Sequence, residues 1–293
     1  MVSYFLQHIK YEKRLSHHTI TAYEGDLKQF SAFLLFQYEF KEPEKADFQM
    51  IRSWIVSLVD EKIENRSINR KIATLRSFYN FLLRHKTIVS NPMLKIRALK
   101  TDKMLPKYVE EKPMENMLDD MQFSDDFSGL RDKLVIELLY GTGMRLAELI
   151  GLKIADLNLY NNTLMVLGKR NKQRVIPVNK SLVEAIKKYL TLRTDITDDT
   201  TNSYLILTDS GTQAYPMFIQ RLVKKYLSLV TSLDQRSPHV LRHTFATHLL
   251  NRGADLNAIK DLLGHTSLAA TQVYTHNSIE KLKEVFKQAH PKA

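Results

Sequence analysis

Up to about residue 98, apolar residues recur at steps of three and four, which predicts one amphipathic helix after another. Ser16 can cap a helix whose inner face is Tyr23, Leu27, Phe30, Phe33 and Leu34. Phe48, Ile51, Trp54, Ile55 and Leu58 mark a second helix, and Ser67 can cap a third carrying Ile68, Ile72, Leu75, Tyr79 and Leu82. Asn91-Pro92 then breaks the pattern. The stretch 99–113, LKTDKMLPKYVEEKP, is polar, holds two prolines and has no sustained period. It reads as a linker between residues 1–98 and 114–293, or as a long surface loop.

The rest of the chain has a mixed pattern. Residues 130–140, LRDKLVIELLY, form a helical run that stops at Gly141-Thr142-Gly143. TLMVLG (163–168) and QRVIPV (173–178) are β-rich runs around Lys169-Arg170-Asn171-Lys172 and predict a hairpin. SYLILT (203–208) predicts a third strand. Helical runs are expected at 180–192, 215–233, 238–252, 256–263 and 268–275, with a last one capped by Ser278. The expected fold is mainly α with a small antiparallel sheet, in two domains.

Composition adds a partner class. The net charge is +11, with 44% hydrophobic and 26% charged residues. That describes a folded basic protein, for which nucleic acid is the first candidate. The excess of Lys and Arg is shared by both parts of the chain. Arg66, Arg70, Ser77 and Arg84 fall on one face of the third helix. They form either a strip of phosphate contacts or a solvated face. There is no cysteine, which excludes disulfides and thiolate chemistry. MVSYFLQHIKYEKR does not read as a signal peptide, and no run of 18 apolar residues occurs, so neither export nor a membrane span is expected.

Five segments of the C-terminal part carry polar residues that a core would not need. In GTGMRLAELIGL, Arg145 opens a helix with Glu148 one turn on, either an anion site or an i, i+3 ion pair. In LGKRNKQRVIPV, Lys169, Arg170, Lys172 and Arg174 decorate a hairpin tip; they could enter a DNA groove or protect an edge strand, and a Lys there could protonate a leaving oxygen. In SPHVLRHTFATHLLNRG, Ser237 and Pro238 start a helix that projects His239 and Arg242 from one face. His239 and His243 have a zinc-like spacing, but no Glu stands between them and no third ligand is near, so no metal is expected. Asp255 caps a helix that Gly264 ends, with His265 next; nine residues later, TSLAATQVYTH holds Tyr274. Singly, each has a structural explanation. Together, two Arg, a Lys, two His and a Tyr suit phosphoryl transfer without a metal: Arg neutralises the anionic diester, an acid serves the leaving oxygen, and a phenol oxygen attacks. No P-loop is present, in keeping with a reaction that keeps the ester's bond energy and needs no ATP.

In order and spacing these segments resemble the tyrosine recombinase/integrase family, in particular the Xer-type bacterial recombinases. The matching stretches are TGMRLAELIGL, the Gly168-Lys169 pair, HVLRHTFATHLL, LLGH and VYTH, with Lys169 24 residues after Arg145. The resemblance implies that Arg145 and Arg242 bind the scissile phosphate and Lys169 is the acid for the 5′ oxygen. It implies that His239 handles the tyrosine proton, His265 hydrogen-bonds the phosphate, and Tyr274 is the nucleophile forming a 3′-phosphotyrosyl link. Where similar chains carry Gly-Lys-Gly, this one has Gly168-Lys169-Arg170, a turn without the second glycine's conformational freedom. The resemblance further implies a two-domain clamp on double-stranded DNA. Four protomers, of this chain alone or with a paralogue, would assemble in the cytoplasm, each docking its last helix (Ile279, Leu282, Val285 and Phe286) into a neighbour. Rival readings are a type IB topoisomerase-like enzyme and a DNA-binding protein without catalysis. Dimer resolution, integration and inversion stay open.

Overall fold

The computed structural model describes residues 1–101, 107–168, 173–197 and 202–264. The chain divides into two compact units, 1–104 and 105–293.

The first unit is helical: α1 (Val2–Gln7), α2 (His17–Tyr38), α3 (Phe48–Asp60) and α4 (Asn65–Arg84). Ser16 caps α2 by accepting the Thr19 N–H, and Asp47 caps α3 by accepting that of Met50 at 2.8 Å. Helix α4 begins two residues before the expected cap Ser67, with Glu64 at its N-cap position and no side-chain cap bond. The inner faces are those the periodicity predicts: Leu27, Phe30, Ile51, Trp54, Ile68 and Leu75 are among the core residues. Between α2 and α4 a buried carboxylate, Asp26, receives Arg70, Lys71 at 3.2 Å and the Thr74 hydroxyl at 2.7 Å. The segment after α4 is held back onto it: the Asn69 side chain donates to Leu99 O (2.9 Å) and accepts the Leu99 N–H (2.7 Å), and Asn65 donates to Lys100 O.

The second unit contains α5 (Glu111–Glu115), α6 (Phe127–Thr142), α7 (Leu146–Gly151), β1 (Leu157–Asn158), β2 (Thr163–Leu167), β3 (Gln173–Pro177), α8 (Lys180–Ile196), α9 (Pro216–Val230), α10 (Pro238–Asn251) and α11 (Leu256–Leu263). The sheet is antiparallel in the order β1-β2-β3, with Leu164 opposite Ile176 and Val166 opposite Arg174. The expected strand at 203–208 is not part of it: that segment makes only the bridges Lys153–Tyr204 and Leu207–Gln213, and the third strand is the two-residue β1. Its apolar run is explained by burial instead, since Leu205, Ile206 and Leu207 are fully buried in the core.

The later part of the stretch expected to be a linker, residues 107–113 among those described, belongs to this unit. Val109 is buried, and its N–H donates to the Thr244 hydroxyl at 3.0 Å. Its carbonyl accepts from His248 Nε2 at 2.9 Å, so His248 Nδ1 is left to accept the Tyr140 hydroxyl at 2.9 Å. The neutral imidazole satisfies both bonds, and burial lowers the His248 pKa, outweighing the pull of Glu111 and the bond to Val109. A neutral buried histidine stabilises the fold above its unfolded pKa of about 6.5, and that contribution is lost as the pH falls below it. The melting temperature is therefore expected to drop on acidification, and to drop less steeply in His248→Gln, as thermal denaturation across that range would measure. Among the described residues no helix is long and apolar enough to cross a membrane.

Candidate active site

The site is built at three chain breaks in the second unit: the end of α6, the start of α10 and the end of α11. Helix α6 ends at Gly143, whose left-handed φ of 59° turns the chain toward α7. A Cβ there would stand 2.4 Å from Phe245 Cδ1, so both the backbone angle and the space demand glycine. The turn delivers Arg145 to the start of α7. Its N–H donates to Glu148 Oε2 at 2.7 Å and its guanidinium to Glu148 Oε1 at 2.8 Å. About a third of the Arg145 side chain remains exposed.

Glu148 is buried and shared. Its oxygens also take both terminal nitrogens of Arg174, each at 2.8 Å. Burial pushes the Glu148 carboxyl up, but the hydrogen bonds and charge of Arg174, joined by Arg145, hold it at about 2. It is ionised at any working pH.

Helix α10 starts at Pro238, with Ser237 at the N-cap position but making no side-chain cap bond. His239 is exposed in the first turn, and Val240, Leu241, Phe245 and Leu249 face inward, as their spacing predicts. Arg242, one turn after His239, is buried. Its guanidinium bridges two helix ends, donating to Gly143 O at 2.5 Å and to Leu263 O at 2.7 Å. Burial, with the nearby charges of Arg145 and Arg174, draws its pKa down to about 10 against the pull of Glu148. It is still a cation at neutral pH, and one crowded by like charges. Such a cation gains when an anion arrives.

Helix α11, capped by Asp255 through the N–H groups of Asn257 and Ala258, ends at Gly264 in the left-handed region. Helix C-termini leave carbonyls without partners. Here one arginine takes each of three in succession: Arg174 Nε donates to Leu262 O (2.9 Å), Arg242 to Leu263 O, and Arg145 to Gly264 O (3.2 Å). The structure thus gathers Arg145, Arg242 and Glu148 around the residue that directly precedes His265.

Arg174 corrects an expectation. Read from sequence as a DNA contact on the hairpin, it lies on the inner face of β3, 5% exposed, with its guanidinium committed to Glu148 and Leu262. The signal that could have found this is the two-residue period: Arg174 shares a strand face with Ile176, which is fully buried. In the first unit, Arg66, Arg70 and Arg84 on α4 are exposed, and Arg70 is also paired with Asp26. Lys169, Arg170, Lys172, His265, Tyr274 and the expected last helix lie outside the described residues. Among the described residues no group of three His, Asp or Glu stands close enough to hold a metal ion.

Residues 107–281 match the model of the phage integrase family, and residues 2–86 that of the phage integrase N-terminal SAM-like domain. The chain belongs to the tyrosine recombinase (phage integrase) family. Tyrosine recombinase XerC of Chlorobaculum parvum is 38% identical over 99% of this chain and 94% of its own length. Tyrosine recombinase XerD of Staphylococcus haemolyticus is 36% identical over 100% of this chain and 99% of its own. Among solved structures, the fold is shared with the XerH site-specific recombinase bound to a palindromic difH substrate in a post-cleavage complex. The TM-score there is 0.73 at 22% identity, covering 97% of this chain and 83% of that one. It is shared too with the Tn1549 transposon integrase in complex with transposon right end DNA, at TM-score 0.71 and 21% identity, covering 97% and 98%. The protein is thus an enzyme of the tyrosine recombinase class, with the mainly α fold and small antiparallel sheet of that class.

Proposed function

We propose that this enzyme cuts and rejoins double-stranded DNA at specific sites by two transesterifications at one phosphate, using neither a metal ion nor ATP. The observation that carries the reading is the convergence of Arg145 and Arg242 on the carbonyl end of α11, one residue before His265 and ten before Tyr274. The two cations neutralise the non-bridging oxygens of the diester, whose charge otherwise repels an oxygen nucleophile. The Tyr274 oxygen then bonds to phosphorus, its proton passing to His239, while the bond from phosphorus to the 5′ oxygen breaks and that oxygen takes a proton from Lys169. His265 adds a hydrogen bond to the phosphate. The 3′-phosphotyrosyl link conserves the ester, and a 5′-hydroxyl reverses the step: its oxygen bonds to phosphorus and its proton returns to Lys169, while the bond from phosphorus to the Tyr274 oxygen breaks and that oxygen takes its proton back from His239.

Affinity for the duplex comes from basic residues of both units: Arg66, Arg70 and Arg84 on α4, and Arg170 and Lys172 between β2 and β3. Strand exchange takes place among four protomers on two DNA sites, of this chain alone or with a paralogue, in the cytoplasm. The apolar strip Ile279, Leu282, Val285 and Phe286 docks one protomer to the next. The test is a duplex bearing the recognition site and a nick beside the cut, so that the released 5′ end diffuses away. A covalent protein–DNA complex that survives denaturant is expected. Binding of that duplex without any covalent complex would overturn the reading.

A further inference from the structure

The two arginines that meet the phosphate are held by a third that cannot meet it. Arg174 is buried on the inner face of β3, and all three of its contacts are internal: both oxygens of Glu148 and the carbonyl of Leu262. Glu148 in turn holds Arg145 by backbone and side chain, and Leu262 neighbours Leu263, the acceptor of Arg242. Gly264 is shaped to the same group: a Cβ at this left-handed residue would come within 3.1 Å of Arg174 Cδ and 3.2 Å of its Nη1. One planar fork therefore touches the supports of Arg145, of Arg242 and of the backbone leading to His265.

We infer that Arg174 is a positioning residue for the cleavage step, tying the β-hairpin to the Arg145–Glu148 pair and to the end of α11 so that the phosphate-binding cations are set before DNA arrives. The assignment rests on the strand-transfer reading above. Its physical content is twofold. First, Arg174 neutralises Glu148. Without it the whole charge of a buried carboxylate falls on Arg145, which would be drawn into that pair and away from a phosphate. Second, it satisfies the Leu262 carbonyl, so the end of α11 has one resting place. A lysine keeps the charge but not the fork, and cannot serve Glu148 on two oxygens and Leu262 together.

The test compares wild type, Arg174→Lys and Arg174→Ala on the nicked duplex under single-turnover conditions. Each is read for the dissociation constant, its dependence on salt, and the rate constant and amplitude of covalent-complex formation. The expected result is unchanged affinity and salt dependence, a rate constant lowered about 10²-fold in Arg174→Ala, the scale of a small misplacement of reacting groups, and a smaller loss in Arg174→Lys. A phosphate contact would give the opposite split: weaker binding, a salt slope reduced by about one, and a wild-type rate once bound. A residue that serves only the fold would lower the amplitude and leave the rate constant alone. Either pattern overturns the inference, as does failure of both variants to fold. A wild-type chain that binds but makes no adduct points instead to failure of the strand-transfer reading itself.

Discussion

Tyr274→Phe is expected to bind DNA as wild type does and to form no covalent adduct at all. The change removes one oxygen, the atom assigned to attack, and leaves the ring. No other group in the proposed set is an oxygen nucleophile: the remaining five are two Arg, one Lys and two His, whose roles are charge and proton transfer. The loss should therefore be complete, and not a matter of degree. Denaturing electrophoresis of the nicked-duplex reaction measures the adduct, and a filter or mobility-shift assay measures binding. An adduct formed by the phenylalanine variant at the wild-type level would move the nucleophile elsewhere. Because this variant should stay on its site, the DNA that copurifies with it also supplies the recognition sequence for every other assay.

The second large effect is at Arg242. Arg242→Ala should slow single-turnover cleavage by about 10²–10³, the usual cost of deleting one preorganised electrostatic contact to a transition state. It should also destabilise the second unit, because Gly143 O and Leu263 O would lose their partner in a buried place. An unsatisfied buried polar group costs about 1–3 kcal/mol. Arg242→Lys restores a cation but cannot span both carbonyls, so it should recover part of the rate and little of the stability. Chemical denaturation gives the stability and the nicked duplex the rate. Full activity in Arg242→Ala would exclude the guanidinium from the reaction.

Arg242 and Arg174 also show how differently two arginines can be legible. Arg242 lies in a dense motif, HVLRHTFATHLL, and its spacing of three from His239 already placed those two side chains on one face of the helix. Arg174 lies among Lys169, Arg170 and Lys172, and a charge cluster on a predicted hairpin reads as surface. What reversed that reading is a partner 26 residues earlier in the chain, Glu148, which no local pattern connects to it. The segment 203–208 failed for a related reason. A run of apolar residues reports burial, and burial beside a sheet looks the same in sequence as pairing within it.

Sequence alone determined the helical register of the N-terminal unit, the hairpin strands β2 and β3, the glycine stops at Gly143 and Gly264, and the polar residues worth suspecting. All of these follow from short-range rules: which side chains repeat on a face, which residues tolerate a left-handed backbone, which cap a helix. Only the tertiary structure decided that the carbonyls of Leu262, Leu263 and Gly264 each take a different arginine, that Glu148 serves two of the three, and that Asp26 holds Arg70 and Lys71 across two helices. Those are pairings between groups far apart in the chain. They exist because buried charge and unpaired backbone must find partners wherever packing brings them, and no local rule says where that is.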